Sequence, residues 1–554
     1  STPIKSSAAS DVYKRQGKSQ SEQGVIDREL YEYKKGLNEK KINLDDLYVK
    51  FIRFAEWKIE NSGYGVVGII TNNSWLDGIT HRQMRKHLYE TFDDIYIVNL
   101  HGNNRKGDKD KNIFDIKVGV NIAFFVKKRG ISSNKKVFYY STLENGLLSS
   151  VEKLDFLQNT FLKNIQFSEL NPEITENCWF VDKDLSQIEN YSKFQKITSI
   201  FKEYNSGIQT GRDSFCMHYH KNELNNLVNV LKNNDNNYIE KTYNIKDGRD
   251  WKIDLAREDV VKNYNPQIIT YRPFDNWWTS LSNISSGFLQ CPRYSIMRHF
   301  DNKSNIGLTI GRQAQVQKNG KWDLALVTKY AIDLNLYYRG GELLFPLYLY
   351  NDNSELFEKN DKQPNYTDKF IKEYLNKLSF KPTPEEVLSY IYAVLHSSVY
   401  RTKYIEFLKT DFPAIPMTKN QEIFEKYAKE GQKLIDVHLM NKIIDDKSIK
   451  VSLDGAASNF VVADIIEPST TESALSLVTA DNKTIKFDGI TTEMYNFEIG
   501  SYRPIDKWLK YRKQDHVILN IIDDVMHIKN MALAIKETIK IMAIISSYGE
   551  DYLK

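Results

Sequence analysis

Two asparagines and a serine follow an apolar run in the stretch GVVGIITNNSWLDG, residues 65–78. Residues 66–71 have the composition of a short strand that is hydrophobic on both faces, which is typical of a central parallel strand. In an open α/β sheet the ligand crevice lies at the carboxyl ends of the strands, so Asn72, Asn73 and Ser74 are candidate donors and acceptors of a site. The alternative is that these residues cap the next helix.

A polar loop, HGNNRKGDKDKN at residues 101–112, is the second candidate. It carries four cations against two carboxylates: Arg105, Lys106, Lys109 and Lys111 against Asp108 and Asp110. Such a loop can contact phosphates, each neutralised contact adding about 0.9 to the salt slope of binding. A solvated hairpin loop is the alternative. Phe114 follows, and it is either a stacking platform for a base or a core residue.

The elements that would position these residues alternate between helix and strand. Residues 44–61 are predicted to form a helix that has Asn43 as its N-cap and is stopped by Gly63 or Gly65. Phe51 is predicted to belong to its apolar face. The further predicted elements are a strand at 66–71, a helix at 79–92, a strand at 95–100 and a strand at 118–128. In the helix at 79–92, the spacing of Met84, Leu88 and Phe92 predicts one apolar face. This order predicts the C-terminal half of a Rossmann-like, doubly wound sheet in a mixed α/β protein.

Beyond about residue 150 the pattern changes to short strands and helices that are rich in aromatic residues and asparagine. Residues 380–412 are predicted to be strongly helical, with Thr383, Pro384 and Glu386 as cap, first-turn proline and capping-box partner. The remaining predicted elements are a helix over 419–445, small strands and turns over 448–490, and C-terminal helices.

Composition limits the classes of function. The 76 Lys and Arg against 72 Asp and Glu leave a net charge of +4, so any basic surface must be local. Cys178, Cys216 and Cys291 lack C-x-x-C spacing, which argues against a disulfide framework or a zinc site and suits a reducing cytoplasm. No apolar run approaches about 18 residues and no charged-then-apolar leader is present, so neither a membrane span nor a secretion signal is predicted.

The first residues stand apart from the rest. Residues 1–16 lack core periodicity, and the segment AASDVYKRQ resembles a translated sequencing-adapter tail. They are predicted to be non-native, with native sequence beginning near Gly17; a genuine disordered tail is the alternative.

Several dispersed blocks resemble one enzyme family, and they occur in the family's order. The longest runs from DDLYVKFIRFAEWKIENSG through NNSWLDG to NLHGN and continues in NIFDIKVGVNIAFFVKK. The others are SGIQTGRDSF at 206–215, YRPFDNWW at 271–278, GELLFPLYLY at 341–350, TPEEVLSYIYAVLHSSVYRTKYIEFLKTDFPAIP at 383–416 and GSYRPIDKWLKYRK at 500–513. Together they resemble the C-terminal portion of N6-adenine DNA methyltransferases of restriction-modification systems, the type ISP and type IIG-like enzymes.

The resemblance implies a site-specific, adenine-specific DNA methyltransferase that uses S-adenosylmethionine and acts on double-stranded DNA. Such enzymes flip the adenine out of the duplex, at a cost of roughly a few kcal/mol that stacking and base-edge contacts offset. By resemblance, Asn72, Asn73 and Ser74 support the adenine pocket, and Phe114 stacks on the extruded base.

Three expected parts of such an enzyme are not seen in the sequence. The catalytic Asn-Pro-Pro-aromatic motif does not occur; the nearest fragments are NPE at 171–173 and NPQ at 265–267. The glycine-rich turn that would bind the cofactor and a nuclease region are also not seen. The chain is therefore predicted to be a truncated portion without catalytic residues, inactive alone, whose parent also has an N-terminal methyltransferase half and possibly a nuclease domain.

The region after the methyltransferase part is expected to read the DNA sequence, because it does so in the resembled enzymes. The candidate contacts are Gln209, Thr210 and Arg212, with Asp213; Arg272, with Asp275; and Arg312, Gln313 and Gln315. Arginine pairs with guanine and glutamine with adenine, each worth about 1–3 kcal/mol of discrimination. Two alternatives stay open, a turn held by Asp213 and an Arg272–Asp275 ion pair. Trp277 and Trp278 are predicted to be core residues.

The predicted domains are a non-native tail at 1–16, the methyltransferase half at 17–150, an α+β target recognition region at 151–445 with a helical segment at 383–445, and a small strand and helix region at 446–554. We expect a protein of the prokaryotic cytoplasm. Two other functions stay open: a DNA-specificity subunit without catalysis of its own, and a methyltransferase-like enzyme that acts on RNA or protein.

Overall fold

A computed structural model of the chain describes residues 24–37, 44–103, 110–130, 134–311, 320–337, 341–351, 362–441, 444, 446–455 and 458–554. The chain divides into two compact units, Ser1–Ile188 and Glu189–Lys554. The first unit thus extends beyond residue 150, the predicted end of the methyltransferase half. It does so because a strand at Ser168–Leu170 completes its sheet and Phe180 lies in its core.

In the first unit, strands alternate with helices as far as its second strand. In chain order they are α1 Val25–Lys34, α2 Leu47–Ser62, β1 Gly65–Asn72, α3 Ser74–Asp77, the 3-10 helix Ile79–His81, α4 Arg82–Thr91, β2 Asp94–His101, β3 Val120–Lys127, β4 Lys136–Ser141, α5 Ser150–Asn159, the 3-10 helix Leu162–Asn164, β5 Ser168–Leu170 and the 3-10 helix Pro172–Ile174.

The five strands form one sheet in the order β1-β3-β2-β4-β5. β2 and β4 are parallel, whereas β3 is antiparallel to both β1 and β2 and lies between them. β1, β2 and β4 therefore point the same way, and their carboxyl ends share the edge at which β3 begins. A mixed α/β fold with small sheets is confirmed, but the expected run of parallel strands is not seen in the described residues, because β3 separates β1 from β2.

The prediction that residues 66–71 form a central strand buried on both faces is wrong. Among the described residues β1 pairs with β3 alone. Val66 and Ile70 are 63% and 55% exposed, whereas Val67 and Ile69 pack against the core of the unit. The composition suggested two buried faces, but the structure covers only one of them.

Helix α2 confirms the predicted helix and its stop, and corrects its buried face. Gly63 ends the helix in the left-handed conformation, as predicted. Asn43, the predicted N-cap, lies outside the described residues, and α2 begins at Leu47. Phe51, assigned to the apolar face, is 48% exposed, whereas Arg53 and Glu56 are buried because they belong to an ion-pair network.

The predicted helix at 79–92 is confirmed as a 3-10 turn followed by α4. Its predicted apolar side chains, Met84, Leu88 and Phe92, are all buried. They lie in one core cluster with Trp75, whose indole Nε1 donates to Thr71 Oγ1 at 2.9 Å.

The second unit contains six small sheets and several helices in its described residues. Its helices are α6 Ile188–Tyr191 at the junction with the first unit, α7 Ile197–Ile200, α8 Asp213–Cys216, α9 Lys221–Asn233, α10 Asn236–Tyr243, α11 Ile253–Asn263, α12 Tyr294–Met297, α13 Asp368–Glu373, α14 Pro384–His396, α15 Ser398–Lys403, α16 Ile405–Leu408, α17 Gln421–His438, α18 Thr492–Tyr495, α19 Pro504–Gln514 and α20 Asp523–Ser547, with 3-10 helices Leu375–Lys377 and Asp551–Leu553. Its strands are β6 Gln195–Lys196, β7 Asn205–Ser206, β8 Pro266–Arg272, β9 Asp275–Ser280, β10 Gly307–Ile310, β11 Ala325–Thr328, β12 Ala331–Ile332, β13 Leu343–Pro346, β14 Tyr348–Tyr350, β15 Lys362–Pro364, β16 Ala414–Ile415, β17 Lys450–Asp454, β18 Asn459–Phe460, β19 Val462–Ile466, β20 Ala474–Thr479, β21 Thr484–Asp488 and β22 Leu519–Asn520.

Two sheets of the second unit carry candidate site residues. The sheet β12-β8-β9 is built on an antiparallel hairpin, β8 with β9, and β12 pairs parallel to β8. The sheet β11-β10-β13-β7 is antiparallel throughout. A separate four-stranded sheet, β17-β21-β20-β19, confirms the predicted small strands of 448–490.

Helices α14, α17 and α20 form the helical core of the second unit. The predicted capping box is present: Thr383 Oγ1 accepts from Glu386 N at 3.2 Å. The predicted helical segment at 380–412 is confirmed and consists of three helices, of which the first two are separated because Ser397 ends α14 in an extended conformation and caps α15. α14 crosses α17 closely at Gly431, where an added Cβ would lie 1.8 Å from the Ser389 carbonyl oxygen.

None of the helices described is long and apolar enough to cross a membrane.

Candidate functional site

Three buried or half-buried asparagines meet at the carboxyl ends of β1 and β2. Asn73 Nδ2 donates to Asn99 Oδ1 at 2.7 Å, and Asn121 Nδ2 donates to Asn73 Oδ1 at 3.0 Å. Asn121, near the start of β3, is fully buried, and its Oδ1 has no hydrogen-bond partner among the described residues. A buried carbonyl oxygen without a donor is costly, so this position suits a site that receives a further donor.

The alternative that Asn73 caps the following helix is wrong. Asn73 occupies the N-cap position of α3, but its side chain makes no cap hydrogen bond and crosses to Asn99. Asn72 Oδ1 instead accepts from Ser74 N at 2.9 Å, while Ser74 is exposed. Asn72, Asn73 and Ser74 therefore lie at the expected edge of the sheet, and their role toward adenine stays a prediction.

A bulge in β2 places a histidine at the same edge. The register with β3 shifts between Asn99 and His101, and His101 has a left-handed φ of 54°. Its backbone N donates to Asn99 Oδ1 at 3.0 Å, and its Nε2 lies 2.9 Å from Ser141 Oγ at the end of β4. Bulges and non-glycine left-handed residues are enriched at functional sites.

The loop that follows β2 is held by a buried ion pair. Lys153 on α5 is fully buried and donates to Asp110 Oδ1. The other oxygen of this carboxylate accepts from Gly102 N. Lys153 therefore neutralises the carboxylate of Asp110. This corrects the prediction that Asp110 offsets one of the four cations of the loop.

Two of the predicted contact residues of this loop are described and exposed. Lys111 is exposed, and Phe114 is 45% exposed, so the alternative that Phe114 is a core residue is wrong. Asn112 fixes the segment between them, since its Nδ2 donates to the carbonyls of Gly102 and Val118 at 3.0 and 2.7 Å. The other predicted cations, Arg105, Lys106 and Lys109, lie outside the described residues.

In the second unit the segment IQTGRD forms a turn that Asp213 holds. Thr210 is buried, and its Oγ1 donates to Asp213 Oδ1, whose other oxygen accepts from the Tyr271 hydroxyl at 3.0 Å. Arg212 is half-buried: its guanidinium carbon lies 4.1 Å from the centroid of the Trp251 ring, and its Nη2 donates to the backbone. This is the structural alternative predicted for the turn, and the DNA contacts of Thr210 and Arg212 stay predictions.

Arg272 and Asp275 both form buried ion pairs, but not with each other. Arg272 Nη1 donates to Asp333 Oδ1 at 2.6 Å, and Asp275 accepts from both terminal nitrogens of Arg512 at 2.8 and 3.1 Å. The predicted Arg272–Asp275 pair is therefore wrong in its partners. Arg272 is 7% exposed, so in this structure it links β8 to the residue after β12, and its base contact stays a prediction.

A second acidic side chain lies near this pair. Glu342 is buried, and its Oε2 has no hydrogen-bond partner among the described residues. The pKa of Glu342 is raised to about 7, chiefly by burial; Asp333 also raises it, whereas a backbone hydrogen bond and the cation of Arg272 lower it. The remaining predicted contacts, Arg312, Gln313 and Gln315, lie outside the described residues.

The two tryptophans after YRPFD are packed against other side chains. Trp277 is buried between Tyr219 and Tyr271, with ring centroids 4.1 and 4.2 Å away. Trp278 is half-buried, and Lys221 Nζ lies 5.3 Å from the centroid of its ring. The core assignment is confirmed for Trp277.

One cluster in the described part of the chain has the ligand types of a metal site, Glu56, Glu60 and His87. Arg53 lies among them and donates to Glu56 Oε2 at 3.0 Å and to Glu60 Oε2 at 2.8 Å. His87 Nδ1 is 2.8 Å from Glu56 Oε1, and this contact raises the pKa of the histidine. Because the guanidinium already supplies positive charge, the cluster is an ion-pair network of α2 and α4.

The described residues of the first unit do not fit S-adenosylmethionine by themselves. No described strand leads through a glycine-rich turn into a helix: β1 enters α3 through Asn73, and β4 is joined to α5 by a turn with a single glycine. The side chains at the sheet edge are amides, an imidazole and hydroxyls, and none is a carboxylate placed at a strand end to hold ribose hydroxyls.

Sequence reasoning missed three residues of the asparagine cluster and its surroundings: Asn99, His101 and Asn121. A signal was present, because Asn99 and Asn121 are polar residues within otherwise apolar strands. The bulge at His101 depends on the pairing of β2 with β3, which the hydrophobic pattern does not specify.

The chain matches the family model described as the Type ISP C-terminal specificity domain over residues 199–544, more than half of its length. None of the curated proteins searched matches it. Among solved structures, it is similar to LlaBIII, an ATP-dependent Type ISP restriction-modification enzyme bound to DNA, with 24% identity and a TM-score of 0.68. A nuclease-deletion mutant of the Type ISP enzyme LlaGI, in complex with a DNA substrate mimic, has 22% identity and a TM-score of 0.67. A DrdV–DNA complex has 21% identity and a TM-score of 0.68.

Each of these three alignments covers 94% of this chain, and the chain spans 35%, 50% and 54% of the LlaBIII, LlaGI and DrdV chains, respectively. At these identities the likeness establishes the fold. The family model narrows the predicted type ISP and type IIG-like group to Type ISP. The chain belongs to the Type ISP C-terminal specificity domain family.

Proposed function

We propose that the chain recognises a specific sequence in double-stranded DNA as part of a Type ISP restriction-modification enzyme. The observation that carries the proposal is the match of residues 199–544 to a specificity domain. The LlaBIII and DrdV structures contain DNA and the LlaGI structure contains a DNA substrate mimic, which supports the same partner for this chain. We place the protein in the prokaryotic cytoplasm, where its three free cysteines would stay reduced.

The second unit holds the residues that read the sequence. Direct readout needs hydrogen-bonding side chains that can reach base edges, whereas phosphate contacts position the protein. Gln209 is half-buried and so retains an accessible part, whereas Thr210 and Arg272 are buried in internal hydrogen bonds. Among these predicted contacts, Gln209 is therefore the one that can act at the DNA-facing surface, and Thr210 and Arg272 hold the surrounding backbone.

The first unit contributes one wall of a pocket for a flipped adenine whose N6 receives a methyl group. Asn73, Asn99 and Asn121 support this part of the proposal, because amides at a sheet edge can hydrogen-bond the edge of a flipped base. The exposed ring of Phe114 supports stacking on that base. S-adenosylmethionine would supply the methyl group, and the segment that binds it, with the Asn-Pro-Pro loop, would belong to another part of the parent enzyme.

The recognition proposal is tested by selection from random DNA. The purified chain is incubated with a library of random duplexes, bound molecules are recovered, and the cycle is repeated before sequencing. We expect the library to converge on one short sequence. A library that stays random after several cycles contradicts sequence recognition by this chain.

A parallel experiment separates DNA from RNA as the partner. The selected duplex is labelled, and unlabelled duplex RNA of the same sequence competes for binding. We expect RNA to compete no better than scrambled DNA, because a B-form major groove and an A-form groove present different edges. Competition by RNA at the concentration needed by the specific DNA favours the RNA alternative.

A further inference from the structure

Two glutamine side chains lie against each other in the second unit, on segments that the backbone holds together. Gln209 N donates to the Cys291 carbonyl at 3.0 Å, and Cys291 N donates back to the Gln209 carbonyl at 2.8 Å. Beside this bridge, Gln209 Nε2 donates to Gln290 Oε1 at 3.2 Å. Both glutamines are half-buried, so each retains an accessible part.

The glutamine pair has hydrogen-bonding capacity left over. A primary amide offers one carbonyl oxygen and two N–H hydrogens. Within the described part of the chain, the bond between the two amides leaves Gln209 Oε1 and the Gln290 amide nitrogen without a protein partner. If both side-chain amides are rotated by about 180°, Gln290 Nε2 donates to Gln209 Oε1. Gln290 Oε1 is then the acceptor and Gln209 Nε2 the donor without a protein partner. In either arrangement the pair offers an acceptor beside a donor.

The segment that carries Gln290 is fixed by a buried carboxylate. Asp259 Oδ2 accepts from Phe288 N at 2.9 Å and from Ser282 Oγ at 2.8 Å. The Phe288 carbonyl in turn accepts from Trp251 Nε1 at 3.1 Å. The side chain of Gln290 therefore extends from a loop that is ordered before any ligand arrives, which lowers the entropy lost on binding.

A glycine lets Gln290 lie over the turn that carries Gln209. Gly211 has a left-handed φ of 74°, and an added Cβ would lie 2.5 Å from Gln290 Oε1. Asp213 holds the turn by accepting hydrogen bonds from Thr210 Oγ1 and from the Tyr271 hydroxyl. The geometry of the two amides is thus set by the hydrogen bonds around them.

We infer that Gln290 is a specificity-determining residue that reads an adenine in the DNA major groove, with Gln209 as its positioning residue. Adenine presents an acceptor, N7, next to a donor, the N6 amino group, and a glutamine amide matches both. The inference rests on the proposed function, because it names the base that the specificity region reads. It assigns the contact to a residue on a second, fixed segment beside the IQTGRD turn.

The test is site selection from random duplexes by the full chain and by four variants. Gln290→Ala removes the proposed contact, Gln209→Ala removes the positioning bond, and Gln290→Glu replaces the amide by a carboxylate, which accepts from the amino group of cytosine. Gln421→Ala is the matched control, because Gln421 is an exposed glutamine that bonds within its own helix to Glu425. Thermal unfolding of each variant is measured alongside.

We expect the wild-type chain and Gln421→Ala to select the same motif. Gln290→Ala should lose the preference for adenine at one position by about 5- to 150-fold, with the other positions and the salt dependence of binding unchanged. Gln290→Glu should move the preference at that position from adenine toward cytosine, which loss of structure alone would not do.

The inference is overturned if Gln290→Ala and Gln290→Glu select the wild-type motif at every position, or if both lose all positions together. A wild-type chain that selects no motif overturns the proposed function itself and with it the inference. The two failures are thus distinguished by the wild-type result.

Discussion

Lys153 is the buried cation on which the loop before Phe114 depends. Its Nζ donates to Asp110 and, at 2.8 Å, to the Lys111 carbonyl. Lys153→Met keeps an unbranched side chain of similar length and leaves the carboxylate with Gly102 N as its donor. Removing one partner of a buried ion pair costs about 3–5 kcal/mol, because the remaining charge is uncompensated. We expect the free energy of opening this loop to fall by about 3 kcal/mol.

Amide hydrogen exchange measures this opening directly. The Lys111 amide donates to the Leu148 carbonyl at 2.7 Å, so its exchange requires the loop to open. A loss of about 3 kcal/mol accelerates its exchange about 150-fold. The matched control is the double variant Asp110→Asn/Lys153→Met, which removes the stranded charge and should regain most of the protection. Exchange of Lys111 at the wild-type rate in Lys153→Met, or exchange in the double variant as fast as in the single one, would refute the role of the Lys153–Asp110 ion pair in holding this loop.

Three further predictions concern the buried groups and the chemistry. Burial lowers the pKa of His438 to about 3 and that of His396 well below its ordinary value, so the unfolded chain binds protons that the folded chain does not. The free energy of unfolding should therefore fall as the pH drops below about 6.5, by up to about 1.4 kcal/mol per pH unit for each histidine, and His438→Gln should flatten this slope in urea titrations from pH 7.5 to 5. If His438→Gln leaves this slope unchanged, His438 does not contribute to the pH dependence of stability and the prediction is wrong. Arg512→Met should lower the free energy of unfolding in urea by about 3–5 kcal/mol, because it leaves the buried carboxylate of Asp275 without its cation. The control Lys510→Met, at a cation that is 46% exposed, should lower it by less than about 1 kcal/mol. Equal effects of the two substitutions would contradict the assignment of Arg512–Asp275 as a buried ion pair. In a radiolabelled methyl-transfer assay the chain alone should leave DNA unmethylated, and a co-expressed segment with the glycine-rich turn and the Asn-Pro-Pro loop should restore methylation at adenine N6. Failure after that restoration would favour the DNA-specificity subunit.

Local sequence signals predicted much of the fold. The capping box at Thr383 and Glu386, the left-handed stop at Gly63 and the spacing of Met84, Leu88 and Phe92 each specify a local structure, and each is present. These signals act within one or two helical turns, so neighbouring residues alone determine them.

The differences from expectation come from long-range pairing. Nothing in the apolar run of β1 indicates that β3 will lie between β1 and β2, because strand order is decided by contacts far apart in the sequence. The same holds for the partners of Arg272 and Asp275, which are Asp333 and Arg512. A local Arg-Pro-Phe-Asp pattern favours mutual pairing, but the two side chains reach residues 61 and 237 positions away.

In the candidate site, too, the local features were predictable and the long-range contacts were not. The polar strand end at Asn72 and Asn73 was predictable from the crevice rule for α/β sheets. The partners of Asn73, which are Asn99 and Asn121, depend on the sheet order. Gln290 was not predicted at all, because its contact with Gln209 joins residues that are 81 positions apart.

The most direct test of DNA sequence recognition is the ratio of two dissociation constants. The chain is titrated with its selected duplex and with a scrambled duplex of equal length and composition, at the same salt concentration. Specific DNA-binding proteins prefer their site by roughly 10³-fold or more, and we predict a ratio in that range that persists as the salt is raised. Equal dissociation constants for the two duplexes would contradict the account.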